Sequence, residues 1–333
     1  MITGTNLFKL AKRRKQLEQD IAQIEARSFS KDAFVRFRKN KGAVFGVVVI
    51  AIIFVLALIG PLLSGRAYDH VEKRQLNLPP RAPVLENIGI FDGKISGTNM
   101  YDTPALENVY YWFGSDSLGR DLWTRVWKGT QISFLIAVIA VAVDVLIGIS
   151  FGLISGYFGG KMDMVMQRFV EIINGIPNLV VVIIFAIILK PGIVTIILAI
   201  MITGWIGMSS VVRSQVMALK EQEFVLAAKT LGASHFKIIV KELLPNIAGQ
   251  ILVMSMFSIP SAIFYESFLA FVGLGLQPPQ ASLGVLISTG YQSLLTQPYL
   301  IVSPVIVLSL LMLSFNLISD GLRDALDTKM KHI

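Results

Sequence analysis

The chain has 333 residues, of which 54% are hydrophobic and 16% charged, with a mean hydropathy of +0.66 and a formal net charge of +8. Soluble domains carry ~25% charged residues. The apolar excess and the absence of cysteine exclude disordered, fibrous and disulfide-scaffold classes and leave an integral membrane protein.

Eleven basic residues, Lys9 to Lys41, precede the first apolar run. Met1–Lys15 has neither the apolar core nor the cleavage site of a secretory signal. Residues 1–41 therefore read as a cytoplasmic arm, helical around Leu7–Arg27, with anionic lipid headgroups as a further contact. Gly42–Leu63 then runs 22 residues without an ionisable group, enough for a helix to cross the ~30 Å hydrocarbon layer. Thr130–Phe158 is interrupted only by Asp144, and Ile172–Leu189, Pro191–Val212 and Leu243–Tyr265 are uncharged throughout. Ser267–Ser319 carries no charge over 53 residues and is broken at Gln277–Gln280 and Gln297-Pro298. Unpaired backbone is not tolerated in lipid, so the expectation is all-α, with six transmembrane helices at 42–63, 130–158, 169–189, 192–212, 247–272 and 299–319. A 64–129 extracellular loop follows the first span, and 130–319 forms a five-helix core with a cytoplasmic loop at 213–246. Residues 320–333 are a cytoplasmic tail.

With the N-terminus inside, inner segments hold 21 of the 30 Lys and Arg residues, which puts both termini in the cytoplasm. The basic excess is thus topological, and nucleic acid is not an expected partner. No catalytic constellation is apparent. Ser155–Met162 lacks the first Gly and the final Ser or Thr of a phosphate-binding loop, and reads as a turn between two membrane helices. His70, His235 and His332 are far apart, so no histidine-based metal cluster or triad forms in sequence. Asp144, within the second span, reads as a pathway or packing group, paired with a polar partner or facing a water-filled cavity; a proton relay is the sharper alternative. Glu171 and Glu266 read as interfacial or packing groups. Pro177 and Pro260 are expected to kink their helices.

Between the fourth and fifth spans, helix formers run from Val216 to Leu231. Gly232 supplies a left-handed C-cap, and Ser234 caps a second short helix that Pro245 is expected to stop. Small residues at this elbow, Ala227, Ala228 and Gly232, suit insertion into a groove on a partner; an ordinary amphipathic loop is the plainer reading.

Ala227-Ala228, Gly232 and Leu244-Pro245 resemble the EAA motif of ABC-importer permeases, with Leu226 at the motif's glutamate position and Glu242 at its isoleucine position. Phe113–Asp121 followed by Gly129–Ser133 is similar to a segment of peptide-importer permeases. Gly156–Gly160 with Asp163 and Arg168, Glu266–Gly275 with Pro278-Pro279, and Asn316–Asp327 fit the same group. Together they resemble the C-type permease subunit of an oligopeptide or dipeptide ABC importer, over residues 113–328. The resemblance implies the type I importer permease fold and a non-catalytic subunit without a cofactor of its own. ATP and Mg would sit on partner ATPases. It further implies a second, different permease, two ATPase subunits and an extracellular or periplasmic peptide-binding protein, in a bacterial or archaeal plasma membrane. Coupling to the ATPase would be carried by Glu223, Phe224, Ala227, Ala228, Gly232, Ala233, Ser234, Phe236 and Pro245. The same subunit type serves dipeptides, nickel or other small solutes; an ion-coupled secondary transporter is the different-class alternative. Arg66–Trp112 is not covered by the resemblance and reads either as a folded element contacting a binding protein or covering the pore, or as a solvated loop.

Overall fold

In this computed structural model, residues 29–95 and 97–326 are described. The expected helix at Leu7–Arg27 lies outside the described residues. An amphipathic helix α1 (Phe29–Lys39) meets α2 (Lys41–Leu63), whose N-terminus is capped by the Asn40 side chain accepting from the Ala43 amide. The buried positions of α2 are Ala43, Gly46, Ile53, Ala57 and Gly60. Small side chains on this stripe let neighbouring helices approach closely, the main source of helix association in lipid. A Cβ on Gly46 would stand 2.6 Å from the Ser314 carbonyl oxygen, and one on Gly60 would meet the Trp127 ring at 2.4 Å.

The second pass begins at Leu122, eight residues earlier than expected. Helix α3 (Leu122–Val143) continues through a π turn (Asp144–Gly148) into α4 (Ile149–Phe158). The early start is possible because the polar residues of its first turns are paired within the protein. Asp121 caps the helix, accepting from the Thr124 hydroxyl at 2.6 Å, and buried Arg125 donates to the Tyr68 and Pro279 carbonyl oxygens. Arg120 pairs with Asp116 at 2.7 Å, while Asp121 acts as a cap and not as an ion-pair partner.

The third pass is broken. Helix α5 (Gly160–Asn174) and helix α6 (Asn178–Leu189) are bent by 71° across Gly175-Ile176-Pro177. Pro177 stands at the N-terminus of α6, where a missing N–H costs nothing. Helices α7 (Ile193–Thr203) and α8 (Trp205–Leu219) form the fourth pass. Two short elements follow, α9 (Glu223–Thr230) and α10 (His235–Lys237), so the stretch expected as one helix from Val216 to Leu231 is interrupted at 220–222.

Pro245 does not stop the helix it enters. A π turn (Ile238–Leu243) leads from α10 directly into α11 (Leu244–Phe271), giving one 37-residue span from His235 to Phe271. The π turn shifts the hydrogen-bond ladder just ahead of the proline, so its missing donor falls where the ladder is already re-registered. The helix also continues through Pro260. A short helix α12 (Leu283–Gln292), not resolved by the sequence reading, precedes the last span α13 (Tyr299–Leu326). Among the described residues, five helices are long and apolar enough to cross a membrane, six with the bent α5–α6 pair. The start of the 320–333 tail, through Leu326, is a continuation of α13.

Because successive passes alternate in direction, residues 39–41, 158–160, 219–235 and 320–326 gather at one end of the bundle. Residues 64–121 and 272–298 lie at the other. There the 64–121 segment is folded rather than merely solvated. Leu78, Tyr101, Leu106 and Tyr111 form a small core of their own, and Arg81 stacks on Tyr101 and Tyr110. A two-residue hairpin pairs Lys94 with Asn99.

Candidate functional site

The elbow between the fourth and fifth spans is built around one buried anchor and an exposed tip. Helix α9 ends in a Schellman motif: the Ala233 amide donates to Ala228 O and the Gly232 amide to Lys229 O, both at 3.0 Å. This geometry needs the left-handed φ of +76° at Gly232, which a side chain would strain. Ser234 then caps α10, its hydroxyl accepting from the Lys237 amide.

Val225 and Ile238 are fully buried. They share a hydrophobic cluster with Leu153 and Tyr157 of α4 and with Met208, Val212 and Val216 of α8. Ala228 and Ala233 are half-buried against the same cluster. Of the expected coupling residues these two thus face inward, while Glu223, Phe224, Ala227, Gly232, Ser234, Phe236 and Pro245 are exposed. Leu231 at 87% and Phe236 at 76% are the most exposed apolar side chains of the tip. Leu231 was not among the residues expected from sequence, although its place beside Gly232 was the available signal.

Polar bonds tie the elbow to the spans above it. The Tyr157 hydroxyl and His235 Nδ1 are 2.8 Å apart. Lys220 donates to the Gly156 carbonyl oxygen at 2.9 Å. Arg213 on α8 holds Asp163 on α5 with two bonds, Nε to Oδ1 at 2.6 Å and Nη2 to Oδ2 at 2.5 Å, and the Ser155 hydroxyl donates to the same carboxylate. Bidentate guanidinium–carboxylate contacts fix orientation as well as distance. Between these attachments, Gly148, Gly152 and Gly156 form a stripe on one face of the α3–α4 pass. A Cβ on each would come within 2.8 Å of α8 or of the carbonyl oxygens of Trp205, Ser209 and Arg213. Helices α4 and α8 therefore lie backbone to backbone, and the elbow hangs from them as part of one packed unit.

The upper part of that unit borders a cavity of about 340 Å³ between α3, α6, α7, α8 and α11. Asp144, the first residue of the π turn, is on its wall and is only 6% exposed. Its Oδ1 is buried without a hydrogen-bond partner among the described residues. A second carboxylate, Glu266, is fully buried deeper in α11 and accepts from Ser133 of α3 at 3.2 Å. It lies inside a helix–helix contact, the packing alternative of the two placements expected from its position near a span end.

Residues 148–332 match the family described as binding-protein-dependent transport system inner membrane component, more than half of the chain. The chain belongs to this permease family. Residues 28–80 of the permease additionally match the N-terminal TM domain of oligopeptide transport permease C. The permease is 45% identical over 314 residues to the dipeptide transport system permease protein DppC of Lactococcus lactis subsp. cremoris, covering 91% of this chain and 92% of that protein. It is 41% identical to DppC of Bacillus subtilis, covering 95% and 91% respectively. It is 39% identical to the oligopeptide transport system permease protein OppC of Bacillus subtilis, covering 94% of each.

Proposed function

We propose that this permease forms half of the translocation pathway of an ATP-driven peptide importer and receives the ATPase stroke through the Glu223–Phe236 elbow. The observation that carries the reading is the elbow's construction: an apolar tip open to a partner, on a base packed into α4 and α8. Such a base passes a displacement to the spans instead of absorbing it, because packed interfaces switch between discrete arrangements. A second, different permease would complete the pathway. Two ATPase subunits would bind ATP and Mg and grip the elbows, and a peptide-binding protein would deliver solute from outside. Both termini and the elbow would then be cytoplasmic, in a bacterial or archaeal plasma membrane. The substrate class follows the relatives named for oligopeptides; dipeptides are the second reading, favoured by the 41% and 45% identical relatives named for dipeptide transport.

Gentle purification of the tagged chain from its native membrane is expected to recover a second permease and ATPase subunits by mass spectrometry. The same complex in proteoliposomes is expected to take up peptide only with ATP and binding protein. A lone chain, or uptake driven by an ion gradient without ATP, would overturn the reading.

The Asp163–Arg213 pair gives a further expected result. Asp163→Asn leaves Arg213 on α8 without its carboxylate partner and loosens α5 from α8 at the elbow end. Assembly is expected to persist because the glycine-packed α4–α8 contact remains. Peptide moved per ATP hydrolysed is expected to fall several-fold, and an unchanged ratio would count against a transmitting role for the pair.

A further inference from the structure

The cavity beside Asp144 has one acidic side chain and no basic one among its described lining residues. The rest of that wall is neutral: Ala140, Ile200, Met208, Met254, Phe257 and Ala262 are apolar, with Asn178, Thr203, Ser258, Ser261 and Tyr265 interspersed. Its volume of about 340 Å³ falls within the ~300–1,000 Å³ of small-molecule sites. On the α8 side a Cβ on Gly207 would meet nothing within 4 Å, whereas one on Gly204 would stand 2.8 Å from the Ile200 carbonyl oxygen and 3.4 Å from Asp144 Oδ1.

Asp144 itself is left unsatisfied. Ser258 lines the same cavity as Asp144, and Asp144 Oδ1 has no hydrogen-bond partner among the described residues. An incompletely bonded carboxylate at membrane depth is costly unless a donor or cation reaches it. It also opens a π turn, a distortion frequent at functional sites.

From this geometry we propose that Asp144 receives the α-ammonium group of a peptide in transit, with Ser258 beside it and the apolar wall taking side chains without selection. The proposal rests on the peptide-import reading above. An α-ammonium is the one cation every unblocked peptide carries whatever its sequence. A cavity whose only formal charge among the described lining residues is negative draws that end in and repels the C-terminal carboxylate. It therefore orients a peptide by its backbone, which suits a pathway serving many sequences.

The chain contains no cysteine, so Ser261→Cys on the cavity wall gives it a single thiol. In the purified nucleotide-free complex, the rate of N-ethylmaleimide labelling of that thiol is followed by the mass of this chain, with increasing trialanine or N-acetyl-trialanine. Trialanine is expected to slow labelling at concentrations about tenfold or more below those needed for the acetylated peptide, as loss of a charged hydrogen bond predicts. With Asp144→Asn added, the two peptides are expected to protect equally. Equal protection with Asp144 intact, or no protection by either, would overturn the proposal. Should Asp144→Asn fail to assemble, the comparison of the two peptides with Asp144 intact still decides. Failure of the unsubstituted complex to take up trialanine with ATP and binding protein would instead sink the import reading itself.

Discussion

Phe236→Asp is expected to leave the permease folded and in the membrane while removing the ATPase subunits that purify with it. The side chain is 76% exposed at the tip of the elbow, and Leu231 beside the same turn is 87% exposed. Neither supports the chain's own fold, so a charge at either position costs the isolated subunit little. Apolar side chains that close a partner's pocket carry most of an interface's energy, and burying a carboxylate there without a counter-charge is strongly unfavourable. Uptake is expected to fall at least about tenfold, which corresponds to about 1.4 kcal/mol of lost docking energy. Thermal unfolding of the detergent-solubilised subunit should be unchanged. Full recovery of ATPase subunits with normal uptake would remove the elbow tip from the interface. Ala228→Arg and Gly232→Glu also disable the elbow but are less discriminating. Ala228 is half-buried against the cluster that anchors the elbow, and Gly232 needs its left-handed backbone, so both changes disturb the elbow itself before any partner arrives.

The division of the chain into spans was legible because lipid imposes a one-dimensional signal: a run without charge must be long enough to cross, and a helix satisfies its own backbone. The turn at Gly232 and the cap at Ser234 were legible for the same reason, being local chemistry of a few residues. What the sequence hid depends on partners far along the chain. Arg125 looks too polar to lie in a helix continuous with the membrane until Asp116 and the Tyr68 and Pro279 carbonyl oxygens are beside it. Arg213 and Asp163 are separated by 50 positions, and nothing local marks them as a pair. Glu266 near a span end reads equally as interfacial or as packing, because hydropathy does not reveal that Ser133 lies opposite. Pro245 misleads through a local rule, helix termination by proline, that the preceding π turn overrides.

The glycine stripe was equally silent, since glycines spaced four apart in a membrane helix are common whatever they face, and its consequence is the largest expected from a single substitution. Gly152→Leu places a side chain where even a Cβ would stand 2.6 Å from the Ser209 carbonyl oxygen and 2.7 Å from Val212 Cβ. The first of these is backbone and cannot swing aside as a flexible side chain would, so α4 and α8 must separate. Overpacking of this kind costs about 1–3 kcal/mol, with more expected where two backbones are forced apart. Separation also pulls at the Arg213–Asp163 pair and at the Val216 side of the cluster that holds Val225. Both the elbow's anchor and the wall of the Asp144 cavity then lose their reference helix. The variant is expected to be largely absent from the membrane, or present without ATPase subunits, when followed by immunoblot and pull-down. Gly192→Leu serves as the control, because a Cβ there meets nothing within 4 Å. It is expected to accumulate and assemble normally at its φ of 167°, which is extended backbone open to any residue. Equal accumulation and assembly of the two variants would mean that α4 and α8 can move apart freely, and the elbow would then need another route to the spans.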